Sequence, residues 1–257
     1  QFLDMYPAER VQLPPNFLAQ HYFDNGELHI RDEVLAAMPR DEAETRQHIA
    51  AYYAMITHLD DHIGRVLDSI AEQGLLEDTI VVFAGDNGLA VGQHGLLGKQ
   101  NLYEHSVRVP LVFAGPGVPQ GQRREALAGL IDIFPTLCDL LELEIPESVE
   151  GESLQPCFDD RQATVRDTML FAYRHLMRGV RDGTGNKLIE TAAAGQCHTQ
   201  LFELQRDRWE QRNLAGDPNH AETVLLLRDA LMSWQDDWDD NLQGHGAEFW
   251  KQMEWAG

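Results

Sequence analysis

The steadiest pattern in the chain begins after residue 41. Ile49, Tyr52, Tyr53, Ile56, Leu59, Ile63, Val66, Leu67 and Ile70 recur at helical spacing with polar residues between them, and the pattern stops at Gly74. Asp41 with Glu44 three residues on has the form of a capping box, so one long amphipathic helix is expected from this point. Residues 79–84 are instead continuously apolar and β-branched, ending at Gly85, and residues 109–114 have the same texture, ending at Gly115-Pro116-Gly117. Such runs predict strands buried on both faces of a parallel sheet. A further apolar stretch over 133–143 predicts a helix. Helix, strand, long loop, strand and helix together give α/β layering.

The texture changes after Glu150-Gly151-Glu152. Residues 169–172 and 178–181 read as strands, 182–186 as a turn, and 187–191 as the returning strand of an antiparallel hairpin, with 201–204 offering one more strand. Asp217-Pro218 introduces a helix over 221–234, where Trp234 and Trp238 are helically spaced and suit core packing better than sugar stacking. The chain therefore divides into an α/β portion, 1–155, and a smaller α+β subdomain, 156–257. Residues 1–40 are broken by Pro7, Pro14, Pro15 and Pro39, follow neither period, and read as a segment wrapped over the rest.

Composition narrows the function classes. With 257 residues, 43% of them hydrophobic, the chain can bury a sizeable core. No apolar run approaches the roughly 18 residues needed to cross a bilayer, so no membrane partner is expected. A formal net charge of -22 argues against nucleic-acid binding, which needs clustered Lys and Arg. Such a chain would attract an anionic substrate through a metal ion and a few placed cations, since exposed charges beyond about 8 to 10 Å are largely screened. The opening Gln1-Phe2-Leu3-Asp4 lacks an initiator Met, a basic region and an apolar stretch, and reads as the continuation of something longer. Cys138, Cys157 and Cys197 have neither metal-ligand spacing nor the form of a disulfide framework, and read as structural.

The candidate chemistry lies between the two predicted strands, at the strand ends where ligands gather in α/β sheets. Asp86-Asn87 follows the first strand directly and precedes Gly88, offering a carboxylate and an amide carbonyl; hard oxygen donors of this kind suit calcium or magnesium. Calcium needs about six to eight oxygens, so the pair makes half a site. Asp-Asn-Gly in a loop is also an ordinary turn. Glycines at 85, 88, 92, 95 and 98 let the backbone approach a ligand closely, and Lys99 ends the segment as a compact cation able to reach an anionic oxygen. Elsewhere, His58 and His62 are four apart on the long helix, a spacing that can grip zinc, but they fall off the apolar stripe with no third ligand near and suit a solvated flank. Asp60, near the stripe, reads as a carboxylate satisfied by neighbouring donors rather than a ligand.

The segment from Gly85 to Lys99, continued through Tyr103-Glu104-His105-Ser106-Val107-Arg108-Val109-Pro110, resembles the second-half signature of the type I sulfatase family within the alkaline-phosphatase-like superfamily. The likeness extends to residues 52–64, 75–80 and 132–140, to Asn186-Lys187-Leu188-Ile189, and to the stretch 201–215. It implies an alkaline-phosphatase-like α/β fold with a mostly parallel sheet and flanking helices, present in part, plus a C-terminal α+β subdomain with an antiparallel sheet. It implies Asp86 and Asn87 as ligands of a metal, usually Ca2+ with Mg2+ as the alternative, and Lys99 and His94 as catalytic and substrate-binding residues, Lys99 contacting the sulfate group and His94 lying near the substrate. Glu104, Ser106 and Arg108 match the pattern as props of the loop.

One departure bears on activity. Sulfatases of this type use a formylglycine matured from Cys or Ser in a Cys/Ser-x-Pro-x-Arg motif, and none of the three cysteines stands in one. The resemblance thus implies a sulfuric ester hydrolase, acting on a sulfated sugar or small molecule, represented by its C-terminal half and without its nucleophile. The partner expected is the missing N-terminal half of the same enzyme. Two other readings remain: a phosphodiesterase or phosphonate ester hydrolase of the same superfamily, in which His more often follows the equivalent Asp, and a non-catalytic glycan-binding or scaffold module.

Overall fold

A computed structural model describes residues 2–253. The long helix α1 (Glu42–Glu72) begins where Asp41, in extended backbone, accepts a hydrogen bond from the Glu44 N–H at 2.9 Å. Its first turns bury Thr45, Ile49, Ala50 and Ala54. The leading segment does wrap: Val11, Leu13 and Ala36 pack around Ile49, Val91 and Leu97, and the Tyr6 hydroxyl meets Thr57 Oγ1 at 2.6 Å. Further along α1 the apolar stripe faces solvent, with Leu59 51% and Val66 60% exposed. Asp60 is exposed too, as are His58 and His62, whose Nε2 atoms lie 2.8 Å apart. No helix among the described residues is long and apolar enough to cross a membrane.

The two apolar runs form β1 (Val81–Ala84) and β2 (Leu111–Ala114), which pair with each other antiparallel, Val81 opposite Ala114 and Ala84 opposite Leu111. The parallel arrangement expected for these runs is not what they adopt among the described residues. An apolar run reports burial and not direction. The connection between them holds only the one-turn helix α2 (Glu104–Val107), so the chain folds back where a parallel pair needs a crossover. Nor are the strands buried on both faces, since Phe83 and Val112 are exposed. Helix α3 (Ile133–Leu140) stops short of 143, and Glu142 beyond it takes a positive φ of 55°. The short α4 (Gln155–Asp159) follows.

Beyond it, β3 (Thr168–Tyr173), β4 (Met177–Asp182), β5 (Asn186–Ala193) and β6 (Gln196–Glu203) make a four-stranded antiparallel meander in chain order. The expected hairpin is present, with Arg181 opposite Lys187 and Met177 opposite Thr191. Its turn is drawn tight by Asp182 Oδ1, which accepts from the N–H groups of Thr184 and Asn186 at 2.9 Å each. Helix α5 (Ala221–Asp237) lays Val224, Leu227 and Leu231 on Val180, Leu188 and Leu201. The opposite face of the sheet, through Met177, Ile189, Ala193 and Phe202, receives Ala90, Leu96, Leu102 and Tyr103. That cluster crosses the expected division at 155. A last helix, α6 (Gly244–Gln252), had no sequence signal; it buries Phe249 against Ala192 and Met253.

Trp234, half-buried, donates Nε1–H to Thr168 Oγ1 at 3.2 Å and meets Trp238 edge-on, but Trp238 is 53% exposed and does not take the core-packing place expected of it. Trp250 donates to Asp240, while Trp255 lies outside the described residues. The three cysteines are free thiols, Cys138 and Cys157 buried and Cys197 exposed.

Candidate active site

The site begins where β1 ends. Gly85 N–H donates to the Pro110 carbonyl at 3.2 Å, the last tie to β2, and Asp86 and Asn87 then emerge exposed. Asp86 Oδ1 accepts from the Asn87 N–H at 2.8 Å. The second carboxylate oxygen and the Asn87 amide oxygen have no hydrogen-bond partner among the described residues. The following residue must be glycine on steric grounds, because a Cβ at Gly88 would lie 1.9 Å from the His105 carbonyl oxygen. Gly88 N–H also donates to the Ser106 carbonyl at 2.8 Å, which closes the loop on α2.

The loop from 89 to 99 is then locked from the other side by the leading segment. His94 N–H donates to the Asn16 carbonyl at 2.8 Å, and a Cβ at Gly95, where φ is +76°, would sit 2.6 Å from the Gln20–His21 backbone. The Glu33 carboxylate accepts from the N–H groups of Leu97 at 3.0 Å and Gly98 at 2.8 Å. Arg40 pairs with that same carboxylate and donates Nε–H to the Gly95 carbonyl at 2.9 Å. Both residues are 4% exposed, so the pair is a buried clamp whose charges and hydrogen bonds are mutually satisfied. Lys99 comes directly after Gly98, with its side chain at the surface. Glu33 and Arg40 are missed by sequence reasoning. They stand seven residues apart in a stretch with no period to single them out, and their targets on the loop lie 55 to 65 residues away.

His94 sits behind this surface, 1% exposed and with φ at +52°. Its Nε2 lies 3.0 Å from Asn16 Nδ2, and its ring stacks on Tyr103 with centroids 4.1 Å apart. Burial first, and then the neighbouring His21, hold its pKa down at about 3, so the ring is neutral at ordinary pH. His21, hydrogen-bonded to the His94 carbonyl at 2.9 Å, and His105 are also lowered, chiefly by burial. The Tyr103 hydroxyl donates to Gln200 Oε1 at 3.0 Å, and burial pushes its pKa upward. The structure thus brings Asp86, Asn87 and Lys99 to the surface of one doubly braced loop and seals His94 beneath it.

Glu104 braces the loop from the sheet side. Lys187 Nζ, fully buried, lies 2.9 Å from both Glu104 Oε1 and Glu210 Oε1, and the Glu104 N–H donates to Glu210 Oε2 at 2.7 Å. Burial raises the pKa of both carboxylates. At Glu104 the opposing pull of Lys187, Arg181 and Arg108 wins and the pKa falls; at the more deeply buried Glu210 burial wins and it rises. Ser106 contributes through its backbone carbonyl, and Arg108 is exposed.

Known proteins of this architecture bear on the reading. A family model described as Sulfatase matches residues 12–143, and one described as N-sulphoglucosamine sulphohydrolase, C-terminal, matches residues 92–237. The multifunctional alkaline phosphatase superfamily protein PehA of Trinickia caryophylli is 31% identical over 252 residues, covering 89% of this chain and 48% of its own length. Choline-sulfatase of Rhizobium meliloti is 34% identical over 198 residues, covering 73% of this chain and 38% of its own. Among solved structures, the phosphonate monoester hydrolase from Silicibacter pomeroyi has a TM-score of 0.78 at 26% identity, covering 92% of this chain and 52% of that one. A structure in complex with its substrate D-glucosamine-2-N,6-O-disulfate has a TM-score of 0.72 at 26% identity, covering 78% and 43%. The chain spans about half, or less, of the length of the curated relatives it matches. The two family models overlap at the braced loop and together run from residue 12 to residue 237, and on that ground the chain belongs to the sulfatase family.

Proposed function

We propose that this chain is the C-terminal half of a sulfuric ester hydrolase acting on sulfated sugars, and that Asp86, Asn87 and Lys99 are its share of the active site. The observation that carries the reading is the pair of unpartnered oxygen donors at the end of β1, on the same braced loop that presents Lys99. A carboxylate and an amide oxygen suit Ca2+, with Mg2+ the alternative, and supply part of the shell such an ion needs. When bound, the ion would contribute charge stabilisation to a sulfate oxyanion. Lys99, with its backbone pinned through Gly98, is suited to hold a second sulfate oxygen, where a preorganised cation counts most as charge shifts toward the leaving group. His94 is walled off by Asn16 and Tyr103, which favours an indirect contribution near the substrate: it fixes the loop that presents Lys99.

None of Cys138, Cys157 and Cys197 lies in a Cys/Ser-x-Pro-x-Arg motif, so these residues do not fit a formylglycine. The nucleophile belongs, in this reading, to the N-terminal half. The exposed apolar residues of α1, β1, β2 and α3, among them Leu59, Val66, Phe83, Val112 and Phe134, are where that half would pack. The division at 155 then separates the part that carries the metal and sulfate contacts, together with their Glu33–Arg40 clamp, from the part that adds the Lys187–Glu210 brace. The sulfated-sugar substrate is supported by a further relative, the N-acetylglucosamine-6-O-sulfatase of Bacteroides thetaiotaomicron, 27% identical over 206 residues, and by the glucosamine disulfate complex.

A second reading, hydrolysis of phosphodiesters or phosphonate esters, is favoured by the likeness to PehA and to the phosphonate monoester hydrolase. Asn87, where those enzymes more often carry His, weighs against it. Parallel assays of the complete enzyme with aryl sulfate, sulfated glucosamine and a phosphodiester separate the two. In the complete enzyme Lys99→Ala is expected to cut turnover at least about a hundredfold; turnover within severalfold of the parent would end that role for Lys99. Glycan binding by the chain that ignores calcium would instead favour a non-catalytic module.

A further inference from the structure

The turn between β3 and β4 meets the last helix. His175 lies in that turn, after Arg174 with its φ of +46°, and His245 and Glu248 stand three apart on α6. His175 Nδ1 is buried from solvent and has no hydrogen-bond partner. Glu248 Oε2 lies 3.7 Å from His175 Nδ1 and 3.9 Å from His245 Nδ1, and one donor atom from each residue falls within 4.8 Å of the other two. Those separations are too long for hydrogen bonds. They approach the spacing of about 3.3 Å between two ligands that share a tetrahedral ion at about 2.0 to 2.1 Å.

We propose that His175, His245 and Glu248 form a zinc site that ties the β3–β4 turn to α6. Two imidazoles and one carboxylate form a donor set that suits zinc, with a fourth position left to water. It differs in kind from the hard-oxygen pair at Asp86 and Asn87, so calcium does not compete for it. The scaffold is held in place before any ion arrives. Asp240 accepts from Arg178 at 2.7 and 2.9 Å and from Trp250 Nε1 at 2.7 Å, Phe249 is fully buried, and Gln252 Nε2 donates to the His175 carbonyl at 3.3 Å. Only the side chains of His245 and Glu248, 64% and 58% exposed, have to move to close the shell. The pair His58 and His62 has the same two imidazoles but, among the described residues, no third donor within reach.

The test is calorimetric titration of Zn2+ into tag-free, chelator-stripped protein, with Co2+ in parallel so that its visible absorption reports the coordination. His245→Ala and Glu248→Gln change exposed side chains and leave the fold intact. Each is expected to weaken zinc binding at least tenfold and to remove the cobalt bands, whereas His62→Ala leaves both unchanged and excess Ca2+ displaces neither ion. Absence of zinc binding, binding that survives His245→Ala, or binding lost in His62→Ala overturns the proposal.

Discussion

The β1–β2 pair is made from wholly apolar runs and the four-stranded sheet from strands that mix apolar with polar residues, yet it is the apolar pair that is left less covered. Strand β5 is buried along almost its whole length, because α5 covers one face of its sheet and the 90–103 segment covers the other. On β1 and β2 the side chains are half-buried or exposed, and the neighbouring α1 turns Leu59 and Val66 to solvent. The contrast separates two things that hydrophobic patterning merges. A pattern tells which face wants cover, while the cover itself is a tertiary fact.

If the sheet half is self-sufficient, damage to it should be costly in the isolated chain. Lys187→Ala leaves Glu104 and Glu210 facing each other in the interior, and should lower the unfolding free energy in urea by about 3 to 5 kcal/mol. A loss under about 1 kcal/mol would mean that this seam is wet and the contrast overstated. Leu231→Ala empties a fully buried position between α5 and the sheet, with an expected cost of about 3 kcal/mol in the same measurement.

Acid should attack the seam between the two regions next. Unfolded, His94 takes a proton near pH 6.5; folded, it resists until about pH 3. Between those values the unfolded chain holds the extra proton, so stability falls as pH drops, by about 1.4 kcal/mol per pH unit for one such group. Melting temperatures recorded from pH 7 to pH 5 should decline, and His94→Gln should flatten that slope; an unchanged slope would show that His94 titrates normally. The smallest effect belongs to the open face. Leu59→Ala on α1 should shift stability by less than about 0.5 kcal/mol in this chain, against the loss at Leu231. A large loss there would show that the face is already covered, for instance by a second copy.

What could be read beforehand follows from how local each signal is. Helix α1 and the β4–β5 hairpin rest on periodicity, an Asp41 cap and an Asp182 turn, all within a few residues of where they act. The position of Asp86 and Asn87 at a strand end was legible for the same reason. Strand direction was not, because Val81 and Ala114 carry no mark of their pairing. Nor was the burial of His94, which depends on Asn16 and Tyr103 closing from two distant segments. Helix α6 escaped notice because Gly244 and Gly246 dilute its short apolar pattern.

The Glu33–Arg40 clamp has a practical consequence for anyone trimming this protein. The start of α1 looks like a natural place to cut, since a capped helix begins there and what precedes it holds, among the described residues, only single turns of 3-10 helix. Cutting there would strip the acceptor from two amide groups just ahead of Lys99 and leave the carbonyl of Gly95 without its arginine. The untidy leader is one jaw of a vice whose other jaw is the glycine-rich loop, and a minimal version of this protein has to keep both.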